Sequence, residues 1–212
     1  MKLYTYFRSS TAFRARIALN LKGLKYDAAF VHLARGEHRE PAYAGVNAQG
    51  LLPTLEDGAA RLNQSLAILE YLDEKYPQPP LLPGDAPGRA RVRSLSLLMA
   101  CEIHPLANLR VLQHLRKALG QNEEQVNGWA RYWIADGLAK LEPELAKDAR
   151  TGKYCHGDSP TMADCCLVPQ VFSAQRFKCD LGPYPTVRRV FDACMQLEAF
   201  DRAQPAKQPD AE

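Results

Sequence analysis

Arg8-Ser9-Ser10-Thr11 places a guanidinium and three hydroxyls in one short turn. Before it runs Lys2-Leu3-Tyr4-Thr5-Tyr6, β-branched and aromatic enough to read as a strand. After it, Ala12-Phe13-Arg14-Ala15-Arg16-Ile17-Ala18-Leu19 reads as a helix, with the hydroxyls at the positions where N-caps belong. A strand, a hydroxyl-rich turn and a helix amino terminus form a seat for an anion, because open N–H groups and the positive end of the dipole converge there. The same residues also suit an ordinary capped helix. Arg8 fits either a solvated strand end or a guanidinium poised over the seat, and it binds carboxylates in a bidentate way that lysine cannot match.

The elements around the turn look like a thioredoxin-like arrangement. A strand near 2–6, a helix near 11–22 and a strand near 27–32 precede Leu51-Leu52-Pro53-Thr54-Leu55, where a proline leads into a strand. Strands near 54–57 and 60–62 and a helix near 65–76 complete an α/β layer. A redox protein of this kind carries Cys-x-x-Cys at the turn. Here none of the six cysteines falls in the first 100 residues. The turn therefore has no thiolate of its own and suits a sulfur brought by another molecule. Gln64-Ser65-Leu66-Ala67-Ile68 opens the later helix with Ser65 as a plausible N-cap, which makes a second anion seat.

Ser9-Ser10-x-x-Phe13-Arg14-x-Arg16-Ile17-Ala18-Leu19, Asn47-Ala48-Gln49-Gly50-Leu51-Leu52-Pro53-Thr54-Leu55 and Gln64-Ser65-Leu66-Ala67-Ile68 resemble the zeta class of glutathione S-transferases. The likeness continues in Ile103-His104-Pro105-Leu106-Ala107-Asn108-Leu109-Arg110, Val168-Pro169-Gln170-Val171, Ala174-Gln175-Arg176-Phe177 and Ala203-Gln204-Pro205, and so spans the chain. That class contains glutathione-dependent maleylacetoacetate and maleylpyruvate isomerases. The resemblance implies a thioredoxin-like α/β domain followed by an all-α domain, glutathione as cofactor, a small dicarboxylic keto-acid substrate and a homodimer. It departs from the family at Thr11, where a cysteine is usual, and this favours the maleylpyruvate branch.

The site expected on this basis has Ser9, Ser10, Arg8, Arg110 and Arg176 as its catalytic residues. The cofactor set adds Thr11, Leu52 and Pro53 beside the sulfur, and Gln64 and Ser65 at the second seat. His38 and Gln49 are assigned to the glycine carboxylate. His104 and Asn108, at i and i+4 of one helix face, join it with Arg110. Pro105 is expected to kink that helix. Arg110 and Arg176 rest on the family motif alone. Arg14 and Arg16 read as structural or solvated, and no role is assigned to His32, His114 or His156. Three acidic centres of substrate and transition state would place the site in the cleft between the domains.

Proline-dense Pro77 to Gly88 reads as the linker, giving a domain at 1–80, a linker at 81–88 and a helical domain at 89–212. In the latter, amphipathic stretches run near 88–118 and 123–147. Thr161-Met162-Ala163-Asp164 looks like a capping box. With 212 residues, 46% hydrophobic, and a net charge of +3, nothing points to nucleic acid or a membrane surface. The chain has no run of 18 apolar residues, and Met1-Lys2-Leu3 begins a strand rather than a signal peptide, so a cytoplasmic enzyme is expected. The cysteines lack metal-ligand spacing and read as buried thiols in a reducing compartment. Two other functions fit the same features. One is a general glutathione transferase or haloacid dehalogenase, which would need an apolar second pocket. The other is a noncatalytic interaction module, which would have no use for the serine turn.

Overall fold

The computed structural model describes residues 1–212 and divides into two compact units, Met1–Leu81 with Met195–Glu212, and Leu82–Cys194. In the first unit, β1 (Lys2–Thr5) leads into α1 (Ser10–Leu21) and β2 (Asp27–Phe30). A 3₁₀ turn at Glu37–Arg39 and the short α2 (Pro41–Ala44) precede the hairpin of β3 (Thr54–Asp57) and β4 (Ala60–Asn63), and α3 (Ser65–Lys75) follows. The sheet order is β2-β1-β3-β4. β1 runs parallel to β2 with Leu3 opposite Ala28, and antiparallel to β3 with Leu3 opposite Leu55. This is the α/β thioredoxin-like layer expected from the sequence.

α1 explains the position of the turn. Every residue from Ala12 to Leu19 is buried, so the helix is enclosed on all sides and its start cannot drift. Arg14 and Arg16 are enclosed with it, at 2% and 0% exposure, which rules out the solvated alternative for both. Arg16 donates to the carbonyls of Ala203, Tyr6 and Phe7 and to Thr5 Oγ1. Asn20 donates to Ala199 O, and Phe7 N–H to Asp210 Oδ2. These bonds join Met195–Glu212 to the first unit, so the expected helical domain of 89–212 loses its last segment.

The second unit contains α4 (Ala86–Leu97), α5 (Leu109–Lys117), α6 (Glu123–Ala146), α7 (Met162–Arg176) and most of α8 (Pro185–Met195); the short α9 (Glu198–Asp201) lies in the first. α7 opens at Thr161, and the carboxylate of Asp164, wholly buried, accepts from Thr161 N–H, Thr161 O–H and Cys155 N–H. Burial pushes this carboxyl above its usual pKa while the three donors oppose the shift. The expected capping box is therefore present, with the threonine hydroxyl turned to the carboxylate. The track Ala86–Lys117 is long enough to cross a membrane, with mean hydropathy 1.2 in its most apolar stretch. It is not one helix: a wide π turn at Leu98–Ile103 and a 3₁₀ turn at His104–Ala107 separate α4 from α5. Val92, Leu95, Met99, Ile103 and Leu112 along it are core residues.

Candidate active site

Ser9 is the N-cap of α1, and its Oγ accepts from Ala12 N–H at 3.2 Å. Thr11 Oγ1 lies 2.9 Å from Ser9 Oγ and 2.8 Å from the carbonyl oxygen of Leu52. A carbonyl only accepts, so the Thr11 proton goes to Leu52. The Ser9 proton must then go to Thr11. Both hydroxyls are committed, and the cis Leu52-Pro53 segment is tied to the helix start. Ser10, the first helical residue and half-buried, is the one hydroxyl of the turn with its O–H uncommitted. The first bond inside the helix is Phe13 N–H to Ser9 O at 2.8 Å, which leaves the N–H groups of Ser10 and Thr11 at the open end. Arg8 is exposed beside it, with its guanidinium 5.6 Å from the Phe7 ring centre.

The second seat differs from expectation in one respect. Ser65 is not the N-cap of α3 but its first residue; Gln64 is the cap and makes no side-chain capping bond. Gln64 has φ +67, a left-handed conformation that a non-glycine residue adopts only where its surroundings enforce it. Such outliers gather at ligand sites. Ile68 N–H to Gln64 O at 3.0 Å is the first helical bond, so Ser65, Leu66 and Ala67 present open N–H groups. Gln64 Nε2 donates to Gln49 Oε1 at 2.7 Å, which brings two of the expected ligands together.

Beneath that pair, Tyr43 O–H and Asn47 Nδ2 both donate to Leu51 O, at 2.6 and 2.8 Å. His38 is a backbone neighbour of Gly50: a Cβ on Gly50 would lie 3.3 Å from the His38 carbonyl oxygen. Burial, and secondarily Arg39, lower its pKa below the ordinary histidine value. The neutral ring holds Nδ1 buried without a partner. A carboxylate brought there would favour the imidazolium, so binding should take up a proton. The complex then has the higher pKa, and the added affinity is present below the pKa of the unliganded protein and lost as pH rises through that of the complex. We expect S-methylglutathione, which has no titrating thiol, to bind more tightly as pH falls from about 8 to about 6. His38→Gln should flatten that profile in calorimetry; an unchanged slope would place the carboxylate elsewhere.

In the second unit the expected i, i+4 face of His104 and Asn108 does not exist. Pro105 cannot continue the hydrogen-bond ladder. The chain widens, tightens and restarts, leaving His104 at the start of the 3₁₀ turn and Asn108 extended as the N-cap of α5, its side chain accepting from Val111 N–H at 3.2 Å. Trp129 Nε1 on α6 donates to Leu106 O at 2.8 Å and pins the turn. Gly137 allows the close approach, since a Cβ there would meet Ile103 Cγ1 at 2.3 Å. Asn108 thus fixes the helix whose second residue is Arg110, and Arg110 is exposed. Arg176 is also exposed, at the carboxyl end of α7, where a cation suits the dipole; its guanidinium lies 4.7 Å from the Phe177 ring centre.

Tyr43 and Asn47 were missed in the sequence; both support the backbone of the Leu51 segment, and no spacing marks such a role. Cys101 is exposed and Cys179 half-buried, against the expectation that all six cysteines are buried; the other four are. No group of acidic, histidine or cysteine side chains could hold a metal ion.

Residues 8–75 match the glutathione S-transferase N-terminal domain and residues 98–198 the glutathione S-transferase C-terminal domain. The chain belongs to the zeta class of the glutathione S-transferase family. It is 52% identical over 211 residues to a maleylpyruvate isomerase of a Ralstonia species, covering 100% of both chains. Its fold superposes with a TM-score of 0.98 on the holo structure of a bacterial zeta-class maleylpyruvate isomerase, at 52% identity and full coverage of both. A maleylacetoacetate isomerase of Methylobacterium extorquens, solved with malonate and glutathione bound, gives a TM-score of 0.97 at 41% identity, again with both chains fully covered. The family assigns the two units to the glutathione S-transferase fold, a thioredoxin-like domain followed by a helical one.

Proposed function

We propose that this protein is a glutathione-dependent cis–trans isomerase that converts maleylpyruvate to fumarylpyruvate, a step suited to aromatic-ring catabolism. The observation that carries this reading is the hydroxyl turn: an uncommitted Ser10 O–H and open N–H groups at the amino end of α1, in a unit that contains no cysteine. A tripeptide thiol fits the residues around it. His38 offers a buried, unpartnered Nδ1, and Gln64 is held in a conformation that opens the N–H groups of α3. Leu52 and Pro53 border the sulfur position, Gln49 and His38 suit the glycine carboxylate, and Gln64 and Ser65 the γ-glutamyl end. His104, Asn108 and Arg110 complete the cofactor set.

Glutathione, when bound, supplies a thiolate able to add reversibly to a conjugated double bond and so permit rotation about it. The protein's own part is electrostatic. The α1 dipole and the Ser10 hydroxyl hold the sulfur ionised. Arg8, Arg110 and Arg176 are assigned to the two carboxylates of the substrate and to the negative charge that moves to its keto oxygen. Fixed donors aimed at developing charge are usually the largest catalytic contribution. A homodimer and a cytoplasmic setting belong to the same reading. Maleylpyruvate is preferred to maleylacetoacetate because Thr11, bonded to Leu52 O, replaces the usual family cysteine with a residue that has no thiol.

Loss of the enone absorbance, followed for both substrates with and without glutathione, tests this directly. Glutathione-dependent turnover with the higher kcat/KM on maleylpyruvate is expected. Turnover of neither substrate, or equal turnover without glutathione, would overturn it.

A further inference from the structure

α1 buries two arginines, and the fold treats them differently. Arg16 has its donors filled by three carbonyls and a threonine hydroxyl. Arg14, 2% exposed, donates from Nη1 to Ser65 Oγ at 3.3 Å, while its Nε and Nη2 have no hydrogen-bond partner. A desolvated guanidinium bonded only to a neutral hydroxyl is an unfavourable arrangement. Its location is specific. The hydroxyl it reaches belongs to the first residue of α3, an eleven-residue helix whose cap, Gln64, has φ +67 and whose leading N–H groups are open. Because Ser65 Oγ already accepts from Arg14, its O–H is left to donate to another group.

We propose that Arg14 is the buried counter-charge of a carboxylate bound at the amino end of α3. It sets the Ser65 hydroxyl as a donor and adds a full positive charge behind the helix dipole. This rests on the glutathione reading above, within which the carboxylate is that of the γ-glutamyl residue, the glycine carboxylate having been placed at His38 and Gln49. Arg14 is a positioning residue, since it meets the ligand through Ser65. In the unliganded protein its charge is uncompensated; ligand binding compensates it.

A structural role and this one move stability in opposite directions. If Arg14 served the fold, Arg14→Met would melt well below the parent and bind glutathione unchanged once folded. As a counter-charge, Arg14→Met should melt at or above the parent temperature without ligand and bind glutathione roughly ten- to a hundredfold more weakly, the usual range for a lost charged hydrogen bond. Arg14→Lys should recover part of the affinity.

The test uses the full chain, thermal melts and calorimetry with two probes: glutathione, and γ-aminobutyryl-cysteinyl-glycine, which lacks the γ-glutamyl carboxylate. The parent should prefer glutathione by about tenfold or more, the methionine variant should lose most of that preference, and the lysine variant should keep some of it. A methionine variant that keeps the parent's preference, or that is markedly less stable without ligand, overturns the proposal. If that variant does not fold, Arg14→Gln is judged by the same preference. A parent that binds neither probe would instead contradict the glutathione reading itself.

Discussion

Ser10→Ala should lower kcat/KM by roughly ten- to a hundredfold and raise the pKa of bound glutathione, because a hydrogen bond to a charged group contributes about 1.5–3 kcal/mol. The allocation of protons in the turn makes Ser10 the donor. Thr11 gives its proton to Leu52 O, Ser9 gives its own to Thr11, and Ser9 Oγ accepts from Ala12 N–H. An unperturbed thiol has a pKa of about 8.5. A partly buried helix terminus contributes up to ~2 kcal/mol, or about 1.5 pK units, so the bound thiol should ionise near neutrality. Ser9→Ala removes an N-cap and should act on stability first, by about 1 kcal/mol. Thiolate absorbance titrated across pH separates the two variants. A larger pKa rise in Ser9→Ala than in Ser10→Ala would show that the allocation is wrong.

The second large effect concerns substrate charge. Arg110→Met and Arg176→Met should each reduce kcat/KM for the keto acid by about ten- to a hundredfold at saturating glutathione. The Arg176 variant should leave glutathione affinity within a few fold, since Arg176 is assigned to the substrate alone. Neither change should unfold the protein, because both side chains are exposed. Steady-state rates for the parent and both variants decide the matter. Parent-like turnover in the two variants would remove the helical unit's arginines from the reaction.

Much of the first unit was legible because its elements are short and local. The run Lys2–Tyr6, the hydroxyl turn and the Pro53 strand each announce themselves in a few residues, and the structure places β1, α1 and β3 there. What was hidden depends on distant packing or unusual backbone. α1 is buried all round, so no periodicity could tell whether Arg14 and Arg16 point to solvent. A glutamine gives no sign that it will adopt positive φ, so Ser65 looked like the cap that Gln64 is. The spacing of His104 and Asn108 suggested one helical face, and Pro105 abolished it by breaking the ladder between them. Arg16 to Ala203 joins residues 187 apart, a contact that local pattern cannot show, and it draws the end of the chain into the first unit.

Glutathione should be regenerated in each turnover. Proton NMR of maleylpyruvate mixed with the protein and a small molar fraction of glutathione measures this directly. Complete conversion of the cis to the trans olefinic signals is expected, with all the glutathione recovered as free thiol. Conversion that stops at one substrate per glutathione, with a stable thioether accumulating, would contradict it and mark the protein as a conjugating transferase.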